Sequence, residues 1–106
     1  MDKEQVIKLV KEYSKLVLKN MNVNTIVLYG SYARGDNRAN SDIDIAVIVP
    51  RESISNNILN DMANLFTLTR NISSDIEPVL LIDGEDDSGF QEHILSYGKI
   101  IYSKIA

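Results

Sequence analysis

Two aspartates placed two positions apart, Asp42 and Asp44, are the residues of this chain best suited to metal-assisted chemistry. They lie at the start of the segment 42–49, which alternates polar and apolar residues and then continues as an apolar run, the pattern of a strand. Side chains two apart on a strand project from the same face, so these carboxylates lie about 7 Å apart along the chain. A divalent cation relieves their mutual repulsion, and Mg²⁺ prefers carboxylate oxygens together with substrate phosphates.

A Gly-Ser pair upstream supplies the complementary chemistry. Gly30 and Ser31 follow Thr25–Tyr29, whose β-branched and aromatic residues are typical of a buried strand. Glycine lets a phosphate approach the backbone closely, and N–H groups at a turn from strand to helix donate to anions. The sequence therefore predicts a phosphate-binding turn beside a metal-binding strand.

The spacing of these elements resembles a known signature. Gly30-Ser31, ten residues and then Asp42-x-Asp44 match the G-S-x₁₀-D-x-D pattern of the DNA polymerase beta-like nucleotidyltransferase superfamily. More narrowly, GSYARG and SDIDIAV resemble the minimal nucleotidyltransferases, small bacterial and archaeal proteins paired with HEPN-domain toxins. The resemblance covers nearly the whole chain and is sharp from Gly30 to Val47.

The resemblance implies a third carboxylate on the strand beside the D-x-D strand. In the predicted strand 75–82, Glu77 shares a face with Asp75 and Val79. Glu77 lies in an apolar run where an unpaired buried carboxylate would be costly, which predicts a cation or donor opposite it. The family residue is usually Asp, so Asp75 is the competing assignment, and we favour Glu77. Pro78 removes a ladder donor and predicts an edge or bulged strand.

The implied reaction is transfer of a nucleoside monophosphate, most commonly AMP from ATP, to a hydroxyl with release of pyrophosphate. Asp42, Asp44 and Glu77 would hold the metal, expected to be two Mg²⁺ ions that Mn²⁺ can replace, and Glu77 would help to deprotonate the acceptor.

Three further residues are expected to handle the phosphates. Gly30 and Ser31 would hold the terminal phosphates. Arg34 would bind the leaving pyrophosphate, unless Asp36 already satisfies it.

The resemblance also implies a partner. Minimal nucleotidyltransferases neutralise HEPN ribonucleases, in some cases by adenylylating a tyrosine, and a second protomer is the other candidate to complete the acceptor site. A non-catalytic antitoxin that acts by binding alone stays open. Modification of a small molecule, as by aminoglycoside nucleotidyltransferases, is the weaker alternative, because the 106 residues leave none for the helical acceptor domain of those enzymes.

The surrounding elements predict an α+β fold, a four-stranded mixed sheet with helices packed on one side. Helices are expected over 2–20, 51–71 and 89–97, and a last strand over 99–103. Ser53 or Ser55 is expected to cap the second helix. The core positions predicted on the last two helices are Ile54, Ile58, Met62, Leu65, Phe66, Leu68, Phe90, Ile94 and Leu95.

Composition sets outer limits. With 106 residues, a net charge of −4 and no cysteine, we expect a single cytoplasmic domain, 1–106, without disulfides, a signal peptide, a membrane span or an extended nucleic-acid surface. Four lysines of the first helix are interpreted as a solvated face: Lys8, Lys11, Lys15 and Lys19. The acidic segment 83–88 is interpreted as a solvated turn, and His93 as a surface residue.

Overall fold

The computed structural model describes residues 1–105, which form a four-stranded mixed sheet and four α-helices. The strands are β1 (Thr25–Tyr29), β2 (Ile43–Val49), β3 (Ile76–Ile82) and β4 (Lys99–Ser103). The helices are α1 (Lys3–Asn20), α2 (Ser31–Arg34), α3 (Ile58–Thr69) and α4 (Phe90–Tyr97), with a 3₁₀ turn at Arg51–Ser53. The predicted α+β class is confirmed.

The sheet order is β3-β2-β1-β4. Strand β1 runs antiparallel to β2 and β4, whereas β2 and β3 are parallel. Strand β3 lies at an edge, as Pro78 predicts, because a residue without an N–H leaves a gap in a central ladder. Strand β2 is central and is buried from Ile45 to Val49, so the two aspartates lie at the start of the most enclosed strand.

The two faces of the sheet carry different helices. Helices α1 and α3 cover the face that presents Ile26, Leu28 and Ile45. Helix α4 lies over the opposite face, where Ile94 packs against Val27, Ala46 and Ile48. The two long helices therefore share one side, as predicted, and the short α4 is the exception. It covers the face to which Asp44 belongs, because Asp44, Ala46 and Ile48 alternate with the inward residues of β2.

Helix α3 begins seven residues later than the predicted start at Arg51. Its N-cap is Asn57, whose side chain accepts the Leu59 N–H, and neither predicted serine serves as the cap. Ser55 instead donates its N–H and its hydroxyl to the carboxylate of Asp61. Ser and Asn side chains compete in this way for local hydrogen bonds, which keeps the preceding segment out of the helix.

Four predicted core residues are exposed. Ile58, Phe66 and Leu95 keep 40%, 45% and 42% of their surface accessible, and Phe90 keeps 36%. The buried stripe of α3 consists instead of Asp61, Leu65 and Thr69, spaced four apart. The spacing of apolar residues could not predict which side of α3 faces inward, because Asp61 is held on the buried side by its hydrogen bonds with Ser55.

Helix α1 matches its prediction closely. Asp2 and Gln5 form a reciprocal capping box at its start, and its inward stripe contains Val6, Val10, Tyr13 and Val17. Within residues 1–105, no helix has both the length and the apolar character needed to cross a bilayer.

Candidate active site

The two motif aspartates lie where the chain enters β2. Asp44 is the second residue of the strand and is partly buried, whereas Asp42 precedes the strand and is exposed. Strand alternation directs both toward the face that α4 partly covers.

Glu77 lies beside Asp44. The parallel register pairs these two residues directly, so their side chains leave the sheet on the same face. Asp75 precedes β3 and is exposed, and its backbone carbonyl accepts the Ile43 N–H at 2.8 Å. Glu77 is exposed too, so the expectation of a costly buried carboxylate at this position was wrong, and its proximity to Asp44 is what distinguishes it.

The three carboxylates form a negative cluster that favours a cation. Burial raises the pKa of Asp44, and the neighbouring charges of Asp42 and Glu77 raise it further, against an opposing contribution from Arg34. Burial and then the charge of Asp44 raise the pKa of Tyr29, its partner across β1 and β2, to about 12. The site therefore disfavours further negative charge unless a cation accompanies it.

Gly30 packs against Asp44 more closely than any other residue type could. Its φ of +74° lies in the left-handed region, and a Cβ at this position would overlap Asp44 Oδ2 and lie 2.9 Å from Cγ. The Gly30 carbonyl accepts the N–H groups of Ala33 and Arg34, which closes the short helix α2. Ser31 follows this turn directly and is the first residue of α2.

The N–H of Gly30, predicted to hold a phosphate, has a partner within the chain. It donates to the hydroxyl oxygen of Tyr97, the last residue of α4, at 3.0 Å. Tyr97 could not be singled out from the sequence, because the two residues are 67 positions apart and no local pattern links them.

Arg34 makes the ion pair anticipated as its alternative role. Its Nε lies 3.2 Å from Asp36 Oδ2, and both side chains are at least half exposed. The hydrogen bond that Arg34 donates to Asp36 raises the pKa of Arg34. The guanidinium carbon also lies 6.0 Å from the centre of the Tyr97 ring. Arg34 therefore lies at the site but shares its charge with a neighbouring carboxylate.

The acidic segment after β3 has a structural role that the sequence reading missed. Asp86 accepts the N–H groups of Gln91 and Glu92 and so caps α4. Glu85 forms a bidentate ion pair with Arg51. An Asp a few residues before a predicted helix was the available signal for this cap.

Among residues 1–105, no group of three or more His, Cys, Asp or Glu side chains is arranged to hold a metal ion by itself. The exposed His93 contacts only the ring of Tyr97 among the aromatic residues described, at 5.3 Å. A cavity of about 600 Å³, lined by Asn20, Ser53 and Asn64 among others, lies near the ends of α1 and α3 and contains none of the three carboxylates.

Comparison with known proteins agrees with this geometry. The family described as polymerase beta, nucleotidyltransferase matches residues 4–105. A candidate protein adenylyltransferase from Methanocaldococcus jannaschii is 38% identical over 48 residues, which are 42% of this chain and 48% of that relative. The matched segment thus spans about half the length of the curated relative.

Solved structures share the fold. A candidate nucleotidyltransferase from Sulfolobus solfataricus superposes with a TM-score of 0.72 at 23% identity, over 97% of this chain and 85% of that one. A toxin–antitoxin structure with AMP-PNP gives 0.60 at 24% identity, over 98% and 75%. A mutant toxin–antitoxin pair named MntA-HpeT gives 0.55 at 21% identity, over 98% and 75%.

Proposed function

This chain belongs to the polymerase beta nucleotidyltransferase family, and we propose that it transfers a nucleoside monophosphate from a nucleoside triphosphate, ATP in our proposal, to a hydroxyl acceptor. The observation that carries the proposal is the convergence of Asp42, Asp44 and Glu77 on one sheet face, with Gly30 packed against Asp44. Three separate segments of the chain meet there, and fold stability alone does not require like charges to gather.

The residues present fit a divalent cation. Asp42 and Asp44 would hold Mg²⁺, with Glu77 contributing to the same cluster. The pKa of Asp44 is raised by burial first and then by the negative charges of Asp42 and Glu77, a repulsion that a cation would relieve. When bound, the metal would neutralise charge that builds on the phosphates during transfer. Because no group of three such side chains in residues 1–105 forms a metal site by itself, substrate phosphates would complete the coordination.

The chain's own residues would then manage the substrate and the proton. The acceptor oxygen forms a bond to the α-phosphorus, the bond to the bridging oxygen of the β-phosphate breaks, and pyrophosphate leaves. Glu77 is exposed beside Asp44 and would take the proton of the acceptor hydroxyl. Ser31 would bind the terminal phosphates, and Arg34 would exchange Asp36 for the leaving pyrophosphate.

The acceptor in this proposal is a tyrosine of a partner protein with a HEPN domain. The curated relative is named as a protein adenylyltransferase, and two structural neighbours are toxin–antitoxin structures, one of them with AMP-PNP. In this chain the carboxylate face remains accessible at Asp42 and Glu77, which leaves room for an acceptor carried by another protein.

Binding without catalysis is the second candidate function. Two groups expected to hold phosphates, the Gly30 N–H and Arg34, are already paired with Tyr97 and Asp36. A chain that neutralises a toxin by contact alone would tolerate these internal pairs.

The first test is thermal unfolding with and without ligand. Because a ligand that binds only the folded state stabilises it by mass action, Mg²⁺ or Mn²⁺ together with ATP should raise the melting temperature, and by more than either alone. At ligand about 100 times its dissociation constant the gain is about 2.7 kcal/mol. An unchanged melting temperature at millimolar cation and nucleotide would contradict the proposed activity.

A further inference from the structure

Tyr97 completes the rim of the site from a distant part of the chain. Its hydroxyl oxygen accepts the Gly30 N–H at 3.0 Å in a partly buried contact. Tyr97 also stands close enough to Tyr29 to contribute to the raised pKa of that residue. The end of α4 is therefore part of the same cluster as the motif residues, although neither motif element contains it.

The placement of Tyr97 is fixed by its neighbour. A Cβ on Gly98 would lie 2.5 Å from the Ile94 carbonyl oxygen, 2.6 Å from Val27 Cγ2 and 2.9 Å from the Leu28 carbonyl oxygen. The backbone at Gly98 thus packs on β1 in a space that only glycine fits. Because β1 leads directly into Gly30, this packing sets Tyr97 beside the Gly-Ser turn.

The ring of Tyr97 is supported as well. The Arg34 guanidinium lies within cation–π range of the ring, at 6.0 Å, and the ring of His93 lies 5.3 Å away at a tilt of 58°. Tyr97 is also one of the groups that raise the pKa of Arg34, after Asp36. Ring and hydroxyl are thus both positioned before any substrate arrives.

We propose that Tyr97 is a further substrate-binding residue, whose hydroxyl donates a hydrogen bond to an oxygen of the bound triphosphate; this rests on the proposed function. A phenol oxygen that accepts one hydrogen bond still carries its own hydrogen. With the Gly30 N–H on the oxygen, that hydrogen is available to an acceptor, and an ionised phosphate is a strong one. Gly30 then orients the tyrosine, and the tyrosine contacts the phosphate.

Two other roles for Tyr97 would change phosphate binding differently. If the hydroxyl only occupied the Gly30 N–H until a phosphate displaced it, its removal would strengthen phosphate binding. If Tyr97 were only structural, its removal would lower stability without a specific effect on phosphates.

Tyr97→Phe separates these roles, because it keeps the ring beside Arg34 and removes only the hydroxyl. The affinities for ATP and for inorganic tripolyphosphate are measured by calorimetry with Mg²⁺ present. We expect both to weaken about tenfold or more, the usual effect of losing a hydrogen bond to a charged group. Tyr102→Phe is the matched control, since Tyr102 packs on the opposite face of the sheet, and it should bind both probes as the unmodified chain does.

Either unchanged or tighter binding of tripolyphosphate by Tyr97→Phe would overturn the inference and leave the proposed function standing. An unmodified chain that bound neither probe would overturn both. If Tyr97→Phe does not fold, NMR of ¹³C-labelled tyrosine rings in the unmodified chain gives the answer. Tripolyphosphate should shift the Tyr97 ring signals and leave those of Tyr102 in place, and a Tyr97 signal that does not move would refute the contact.

Discussion

At the scale of single residues, the site depends on the close packing of Gly30 against Asp44. The Asp44 carboxylate fills the space that a Cβ at Gly30 would occupy, and the positive φ of Gly30 lets the backbone approach it. Any side chain at Gly30 would displace the Asp44 carboxylate from its present position. The same contact therefore links the phosphate-binding half of the motif to its carboxylate half.

Gly30→Ala should abolish nucleotide binding. It should also destabilise the fold by more than the cost of placing an alanine at a positive φ. Gly35→Ala is the matched control, since Gly35 also has a positive φ, of +87°, but no atom lies within 4 Å of its Cβ position. We expect Gly35→Ala to cost about 1 kcal/mol and to keep ATP binding. Urea unfolding and ATP titration of both variants measure these effects, and equal losses in both would show that Asp44 has no part in the requirement for glycine.

Glu77→Gln should remove most nucleotidyl transfer, whereas Asp75→Asn should remove little. The reason is register, since Glu77 is paired directly with Asp44 while Asp75 lies before the strand and binds Ile43 through its backbone. Both substitutions keep size and remove one charge, so each controls for the other. Transfer rates with α-labelled ATP decide the matter, and a larger loss from Asp75→Asn would reverse the assignment.

The motif residues and Tyr97 differ in how far the sequence could predict them. Asp42, Asp44, Gly30 and Ser31 could be proposed from the sequence, because their spacing is local and their chemistry is specific. Tyr97 could not, because its role depends on the packing of Gly98 against β1, which is a tertiary contact.

At the scale of elements, a buried hydrogen bond joins the two long helices. The hydroxyl of Tyr13 on α1 donates to the carbonyl oxygen of Leu65 on α3 at 2.8 Å. Burial raises the pKa of Tyr13 above its ordinary value near 10. The folded protein therefore holds this proton more tightly than the unfolded chain does.

This linkage predicts an alkaline loss of stability. The contribution of Tyr13 is complete below the unfolded pKa near 10 and declines as the pH rises above it, because the unfolded chain releases the proton first. Tyr13→Phe should cost about 1 kcal/mol at neutral pH and flatten this decline. Urea unfolding from about pH 8 to about pH 11 measures both effects, and an equally steep decline in Tyr13→Phe would assign the effect to other groups.

The elements themselves were predictable to different degrees. Strands β1 and β4 match their predicted bounds, because short β-branched runs between turn residues are clear signals. The start of α3 was not predictable from periodicity, since Ser55 and Asn57 form side-chain bonds that replace a helical turn. Nor could the placement of α4 on the opposite face be inferred, because its apolar stripe suits either side of the sheet.

At the scale of the whole molecule, the sheet divides the chain into a structural and a chemical half. One face is closed by α1 and α3, and the other carries the carboxylates and is partly covered by α4. The proposed site therefore lies where β2 and β3 begin, and Asp42 and Glu77 are exposed there.

Transfer of label from α-labelled ATP is the most direct test of the proposed nucleotidyltransferase activity. The chain is incubated with Mg²⁺, labelled ATP and a candidate HEPN-domain partner of the kind proposed above, and binding to the partner is followed in parallel. We expect label on the partner with the unmodified chain and none with the double variant Asp42→Asn and Asp44→Asn. This variant keeps the shape of the site and should still bind the partner. The proposed activity would be contradicted by a partner that stays unlabelled while bound. It would also be contradicted by a double variant that transfers label as well as the unmodified chain does.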